Sequence, residues 1–227
     1  MDFDVLRAQM VDRQLISRGI RDRRVLDAFR AVPRELFVPD ELREFAYEDS
    51  ALPISCGQTI SQPYIVALTI ESMNLRGGER VLEIGTGTGY AAAVLCQIAE
   101  KVYSVERIPS LAESARDRLS RLGYQNVLVS CADGTLGWPE YAPYDAIAAS
   151  AGGPRIPRAL SSQLAPGGHL VIPIGLESSS QVLVRVTRDG DQFRQEPLAD
   201  VLFVPLVGVE GWEDGELELN GGSMREK

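Results

Sequence analysis

Apolar positions change their spacing once along this chain of 227 residues. Up to about residue 75, apart from one irregular stretch, they recur at helical intervals. Val5, Leu6, Met10, Leu15 and Ile16 approximate one helical stripe, which Gly19 is suited to stop. A second helix is expected over Asp22 to Val32, burying Val25, Leu26 and Phe29 and ending before Pro33. The following stretch, PRELFVPDELREFAYEDSALPISCGQ, holds three prolines and has no period, so it reads as irregular. Pro63 then opens a further helix carrying Ile65, Val66, Leu68, Thr69 and Met73.

From Arg80 onward, short apolar runs alternate with helical ones. RVLEIG, KVYSVE, NVLVSCAD, YDAIAAS and GGHLVIPIG read as strands. GYAAAVLCQIA, Pro109 to Leu122 and a short stretch from Pro157 to Leu164 read as the intervening helices. Two last strands, over QVLVRVTRDGDQFRQEPLADVLFVPL, meet at an Asp189-Gly190 turn. Strands alternating with helices require right-handed crossovers, and therefore a mainly parallel sheet. The fold class is α/β, with an antiparallel edge at the hairpin. The expected organisation is a single domain over 1–212, made of a helical cover (1–75) and a sheet core (76–212). The acidic remainder, 213–227, lacks periodicity and is expected to be a disordered tail.

Charge narrows the partners. The net charge is −9, from 23 basic and 32 acidic residues. Six acids and two bases from Glu210 onward contribute −4 of it, which leaves −5 for the body. Neither balance suits a nucleic-acid backbone or an anionic membrane, which call for clustered Lys and Arg. The cysteines, Cys56, Cys96 and Cys131, share no CxxC spacing, so neither a disulfide framework nor a cysteine zinc site is expected. With one histidine, His169, placed where a strand begins, a His-based metal site or a Ser-His-Asp triad has little to draw on. The N-terminus MDFDVLRAQM lacks a basic start and an apolar run, and no segment reaches the ~20 apolar residues that span a bilayer. A cytoplasmic monomer without a metal is the expectation.

VLEIGTGTGY, residues 81–90, carries the strongest local signal. Gly85, Gly87 and Gly89 turn the chain tightly between a strand and a helix, where a ligand can approach the backbone. A dinucleotide fingerprint would place its third glycine at position 90, which is Tyr90. Glu83, inside the strand, would repel a pyrophosphate but suits the sulfonium and ammonium of S-adenosyl-L-methionine. Glu106 ends the next strand 106 − 85 = 21 residues after the first glycine, where an acid reaches a ribose diol. Asp133, followed by Gly134, ends the third strand and could accept from an adenine amine. All three acids fall on the carboxyl edge of one sheet.

A last element is GQTISQP, residues 57–63, in which Ser61 stands two residues before the helix-opening proline, where it could serve as helix cap. Together with FRAVPRELFVP, AYEDSALPI and LFVPLVGVEGW, and in this order, these motifs resemble the protein-L-isoaspartate O-methyltransferase family over about Met10 to Trp212. The TISQP and VPL elements are more particular to that family than the glycine turn.

The resemblance implies a Rossmann-like, seven-stranded methyltransferase sheet with helices on both faces, an N-terminal helical extension and a C-terminal strand bordering the substrate cleft. It implies Ser61 as the active-site residue, and Thr59 and Ile60 as neighbours of both cofactor and substrate. Val204, Pro205 and Leu206 would face Ser61 across the cleft. Glu83, Gly85, Thr86, Gly87, Gly89, Glu106, Arg107, Asp133 and Gly134 would line S-adenosyl-L-methionine, with S-adenosyl-L-homocysteine as product. Isoaspartyl-containing proteins and peptides would be the partners, methylated on the free carboxylate as the first step of repair through a succinimide. A carboxylate with a pKa of about 4 is already ionised at pH 7, so a positioning serine is needed rather than a base. The same family pattern also accommodates methylation of one aspartate in a biosynthetic peptide to form an aspartimide. Two departures stand out. AASAGGPRIP lacks the threonine-alanine pair more usual in the family, and Ala132 occupies a position where glycine is common.

Overall fold

The computed structural model describes residues 1–177 and 180–213, so the expected tail lies outside the described residues apart from Glu213. Helix α1 (Phe3–Met10) begins where the Asp2 carboxylate accepts from the amides of Asp4 and Val5 at 3.1 and 3.2 Å. It runs into a π turn (Val11–Leu15) and a 3-10 turn (Ile16–Arg18), and stops at Gly19 with φ 101°. The wider π turn rotates the helix face. Met10, Val11 and Leu15 are therefore buried, whereas Val5, expected on the inner stripe, is 48% exposed. Helix α2 (Arg23–Ala31) is capped by Asp22 and buries Val25, Leu26, Ala28 and Phe29.

The segment expected to be irregular folds into 3-10 turns over Arg34–Leu36 and Asp40–Phe45. A two-stranded ribbon follows, with β1 (Leu52–Pro53) antiparallel to β2 (Thr59–Ile60). Helix α3 (Pro63–Ser72) comes next, and its cap is Gln62, without a side-chain bond. Ser61 is therefore not the cap. The residue before a proline is held extended, which moves the helix boundary one residue beyond the serine.

The main sheet comprises β3 (Arg80–Ile84), β4 (Lys101–Glu106), β5 (Val127–Cys131), β6 (Tyr144–Ala149), β7 (Leu164–Glu177), β8 (Ser180–Asp189) and β9 (Gln192–Val201). Helices α4 (Tyr90–Cys96), α5 (Pro109–Arg121) and α6 (Arg158–Ser162) make the crossovers. Strand order is β5-β4-β3-β6-β7-β8-β9, parallel from β5 to β7. Strand β8 runs against β7 and β9 against β8, so the expected antiparallel edge is this hairpin. Successive residues point to opposite faces, and both faces are covered. Val81, Val102, Ala146 and Val171 pack under the N-terminal helices, α3 and α4, whereas Leu82, Ile84, Val105, Ile147 and Leu170 fill the other core.

His169 on β7 faces Thr187 on β8, with Nδ1 3.1 Å from the hydroxyl, and burial pushes its pKa below the ordinary value. It is a packed strand histidine. No helix among the described residues is long and apolar enough to cross a membrane.

The chain leaves the sheet after Val201, so Val204–Leu206 do not belong to the last strand as expected. Pro205 has no N–H with which to extend a ladder. The segment instead straps back over the carboxyl edge. The Gly152 amide donates to Val204 and the Leu206 amide to Gly152, both at 2.8 Å, and the Trp212 indole donates to the Gly152 carbonyl at 2.9 Å.

Candidate active site

Strand order reverses at β3, which lies between β4 and β6, and this is where an open α/β sheet leaves a crevice at its carboxyl edge. The glycine turn occupies that point. Gly85, Gly87 and Gly89 all have positive φ, at 91°, 53° and 88°. A side chain at Gly85 would also meet the Ser150 side chain at 3.4 Å. The cleft above the turn is lined by Gly85, Gly87, Glu106, Arg107 and Gly134, by Thr59 on one side and by the Val204–Leu206 strap on the other. At Gly134 an added Cβ would lie 2.5 Å from Ile84 Cγ2, so only glycine lets β5 end this close to β3.

The three acids are not equivalent. Glu106, 6% exposed, accepts from the Gly87 amide through Oε2 and from the Ile108 amide through Oε1, each at 2.9 Å. It thereby ties the glycine turn to the start of α5 and presents its remaining lone pairs to the cleft.

Glu83 is fully buried, one layer below, beside a small apolar cavity that it shares with Ser61, Val66, Ala91 and Ser150. Ser104 donates to its Oε2, which leaves Thr86 donating to Ser104. Oε1 has no partner. Burial, reinforced by the charge of Glu106, pushes the Glu83 carboxyl up to about 8 against the opposing bonds of the Ser104 hydroxyl and the Ala92 amide. A buried carboxyl oxygen left unpaired is costly, and a cation would relieve it.

Asp133 sits elsewhere. Its Oδ1 accepts from the amide and hydroxyl of Thr135, and its Oδ2 from the Val209 amide, at 2.7–2.8 Å. It closes the strap and does not line the cleft, which leaves Gly134 as the contribution of that strand end. Gly89 caps α4 against Leu119, and Thr86 faces a recess beside Ile60 and Ser61.

The segment Thr59–Ser61 is a partition. Thr59 lines the inner cleft and also an outer groove formed with Asp49, Gln62, Asp200 and Phe203. Ser61 lines the outer groove, the recess above the glycine turn and the cavity beside Glu83. Its carbonyl accepts from Arg34 at 2.8 Å, whereas no hydrogen bond among the described residues uses its hydroxyl. A hydroxyl donor without an internal partner therefore stands where these three spaces meet.

Sequence reasoning missed Ser150, which lines the cleft, the recess and the cavity beside Glu83. It follows the end of β6, so the carboxyl-edge rule that singled out Glu106 could have found it. Gln58, Ile108 and Leu111 also line the cleft and carry no comparable local signal.

A family model described as protein-L-isoaspartate(D-aspartate) O-methyltransferase matches residues 7–211. The chain is 60% identical over 204 residues to a Pelobacter propionicus protein-L-isoaspartate O-methyltransferase 2, covering 89% of this chain and 91% of the relative. It is 58% identical over 212 residues to a Marinobacter nauticus protein of the same description, covering 93% and 97%. A solved protein-L-isoaspartate O-methyltransferase superposes with a TM-score of 0.81 at 33% identity, over 90% of this chain and 67% of that one. A Plasmodium falciparum protein of this kind, solved with S-adenosyl-L-homocysteine, gives 0.74 at 26% identity over 90% and 97%. With the glycine turn, the cleft lined by Glu106 and the TIS partition in place, the chain belongs to the protein-L-isoaspartate(D-aspartate) O-methyltransferase family.

Proposed function

We propose that the protein methylates the free carboxylate of L-isoaspartyl residues in damaged proteins and peptides, using S-adenosyl-L-methionine. The observation that carries this reading is the partition: one segment, Thr59–Ser61, borders the cleft above the glycine turn and the outer groove. The residues present fit the cofactor. The unpaired Glu83 Oε1 suits its cationic end, Glu106 its ribose diol, and Gly85, Gly87 and Gly134 admit it against bare backbone. When bound, S-adenosyl-L-methionine supplies an electrophilic methyl.

The protein supplies position. An isoaspartyl carboxylate, with a pKa of about 4, arrives ionised and needs no general base at pH 7. The Ser61 hydroxyl can donate to one carboxylate oxygen, which turns the other toward the cleft. The strap and Thr59 restrict water around it. Orientation and desolvation of this kind can lower a barrier by roughly 7–11 kcal/mol. The outer groove is open, so an extended segment of many client proteins can enter.

Ser61→Ala is expected to lower kcat/KM for an isoaspartyl peptide about 10- to 100-fold, the loss of one hydrogen bond to a charged group. The Kd for S-adenosyl-L-homocysteine, measured by calorimetry, should stay within about threefold of wild type, because the hydroxyl does not hold the donor. A matching loss of cofactor affinity would contradict the assignment. The overall reading is tested by transfer of label from methyl-labelled S-adenosyl-L-methionine to a synthetic isoaspartyl peptide, and absence of transfer would sink it.

A further inference from the structure

Arg34 is fully buried, the largest such side chain among the described residues, and no acidic side chain among them pairs with it. Its Nε donates to the Ala46 carbonyl and its Nη2 to the Ser61 carbonyl, both at 2.8 Å. Its guanidinium lies 4.7 Å from the ring centroid of Tyr90, the residue that starts α4 directly after the glycine turn. Nη1 has no partner. One cation thus touches the segment that borders the groove and the helix that follows the glycine turn.

Burying a charge without a counter-ion is a poor route to stability. What the arrangement achieves is geometric. A planar fork can hold two carbonyls in fixed relation while its face rests on an aromatic ring, which a lysine ammonium cannot do. The Tyr47 hydroxyl accepts from the Arg34 amide at 3.2 Å, and that tyrosine is itself held by Glu35 and Arg7, so the backbone carrying the fork is braced as well. An error of about 1 Å in a positioning group can cost about 100-fold in rate.

We infer that Arg34 is a positioning residue for the methyl transfer, acting through the Ser61 carbonyl to set where the Ser61 hydroxyl stands relative to the glycine turn. The inference rests on the proposed reading of the site. It predicts a dependence that a purely structural role would not show. Arg34→Lys should lower kcat for an isoaspartyl peptide about 10- to 100-fold, while the Kd for S-adenosyl-L-homocysteine stays within about threefold. In a Ser61→Ala background, where no hydroxyl remains to be misplaced, the same substitution should cost less than about threefold.

An equal cost in both backgrounds overturns the inference. If Arg34→Lys does not bind S-adenosyl-L-homocysteine, Arg34→Gln, which keeps a planar donor, replaces it in the same cycle. Failure of both variants to bind would show Arg34 to be a structural support and overturn the inference too. Absence of methylation by the wild-type protein removes the functional reading and this assignment with it, a result distinct from equal costs in an active enzyme.

Discussion

Glu106→Ala should raise the Kd for S-adenosyl-L-homocysteine about 100-fold or more. A carboxylate facing a ribose diol accepts two charge-assisted hydrogen bonds, each contributing about 1.5–3 kcal/mol. The substitution also strands the Gly87 and Ile108 amides, which now donate to this side chain at 2.9 Å each, and so loosens the turn and the start of α5 together. Glu106→Gln keeps one oxygen acceptor and should fall between wild type and alanine. Isothermal calorimetry on the three proteins checks the order. Equal affinities would mean that the ligand does not engage the end of β4.

The second large effect concerns Glu83 and has a defined sign in pH. The carboxyl is raised to about 8 in the folded protein from an ordinary value of 4.5. Between those values the unfolded chain has lost the proton that the folded protein keeps. Folding stability therefore falls as pH rises, at up to ~1.4 kcal/mol per unit, and levels off above the folded value. Glu83→Gln cannot ionise, so its unfolding free energy in urea should lose this slope between pH 5 and about 8. Wild-type stability should be greatest toward the acid side of that window. An unchanged slope in the variant would place the titrating group elsewhere.

Ligand binding should reverse the preference of Glu83. A cationic end placed against the unpaired Oε1 favours the ionised carboxyl, so binding near pH 7 should release part of a proton. Calorimetry of S-adenosyl-L-homocysteine in two buffers of different ionisation enthalpy reads this directly. The wild-type heats should differ with buffer and the Glu83→Gln heats should not. Such coupling would also explain why an acid is kept in the middle of an apolar strand at some cost to the empty protein.

Much of this site was legible because it is local. The alternation of RVLEIG, KVYSVE and NVLVSCAD with helical runs located the ends of β3, β4 and β5, and so put Gly85, Glu106 and Gly134 on one edge. The helices expected from Asp22 and from Pro109 begin within one residue of those positions, the first because the Asp22 side chain caps α2 and the second because proline is suited to a first helical turn. What was not legible depends on partners distant in sequence. Asp133 looked available for a ligand, but its Oδ2 accepts from Val209, 76 residues away. Val204–Leu206 continued an apolar run, yet their bonds go to Gly152. Arg34 in PRELF reads as a turn residue, and only the folded positions of Ala46, Ser61 and Tyr90 bury it. Ser61 shows both cases. Its place beside a helix start was evident, but the cap is Gln62, which leaves the serine hydroxyl to the groove.

Two synthetic peptides of one sequence, differing only in whether a single residue is L-isoaspartate or L-aspartate, separate the possibilities most sharply. Incubated with the protein and methyl-labelled S-adenosyl-L-methionine, the isoaspartyl peptide should form an ester and release labelled methanol, while its aspartyl twin stays unmodified. Comparable methanol from both peptides, or none from either while S-adenosyl-L-homocysteine still binds, would contradict isoaspartyl methylation by this site.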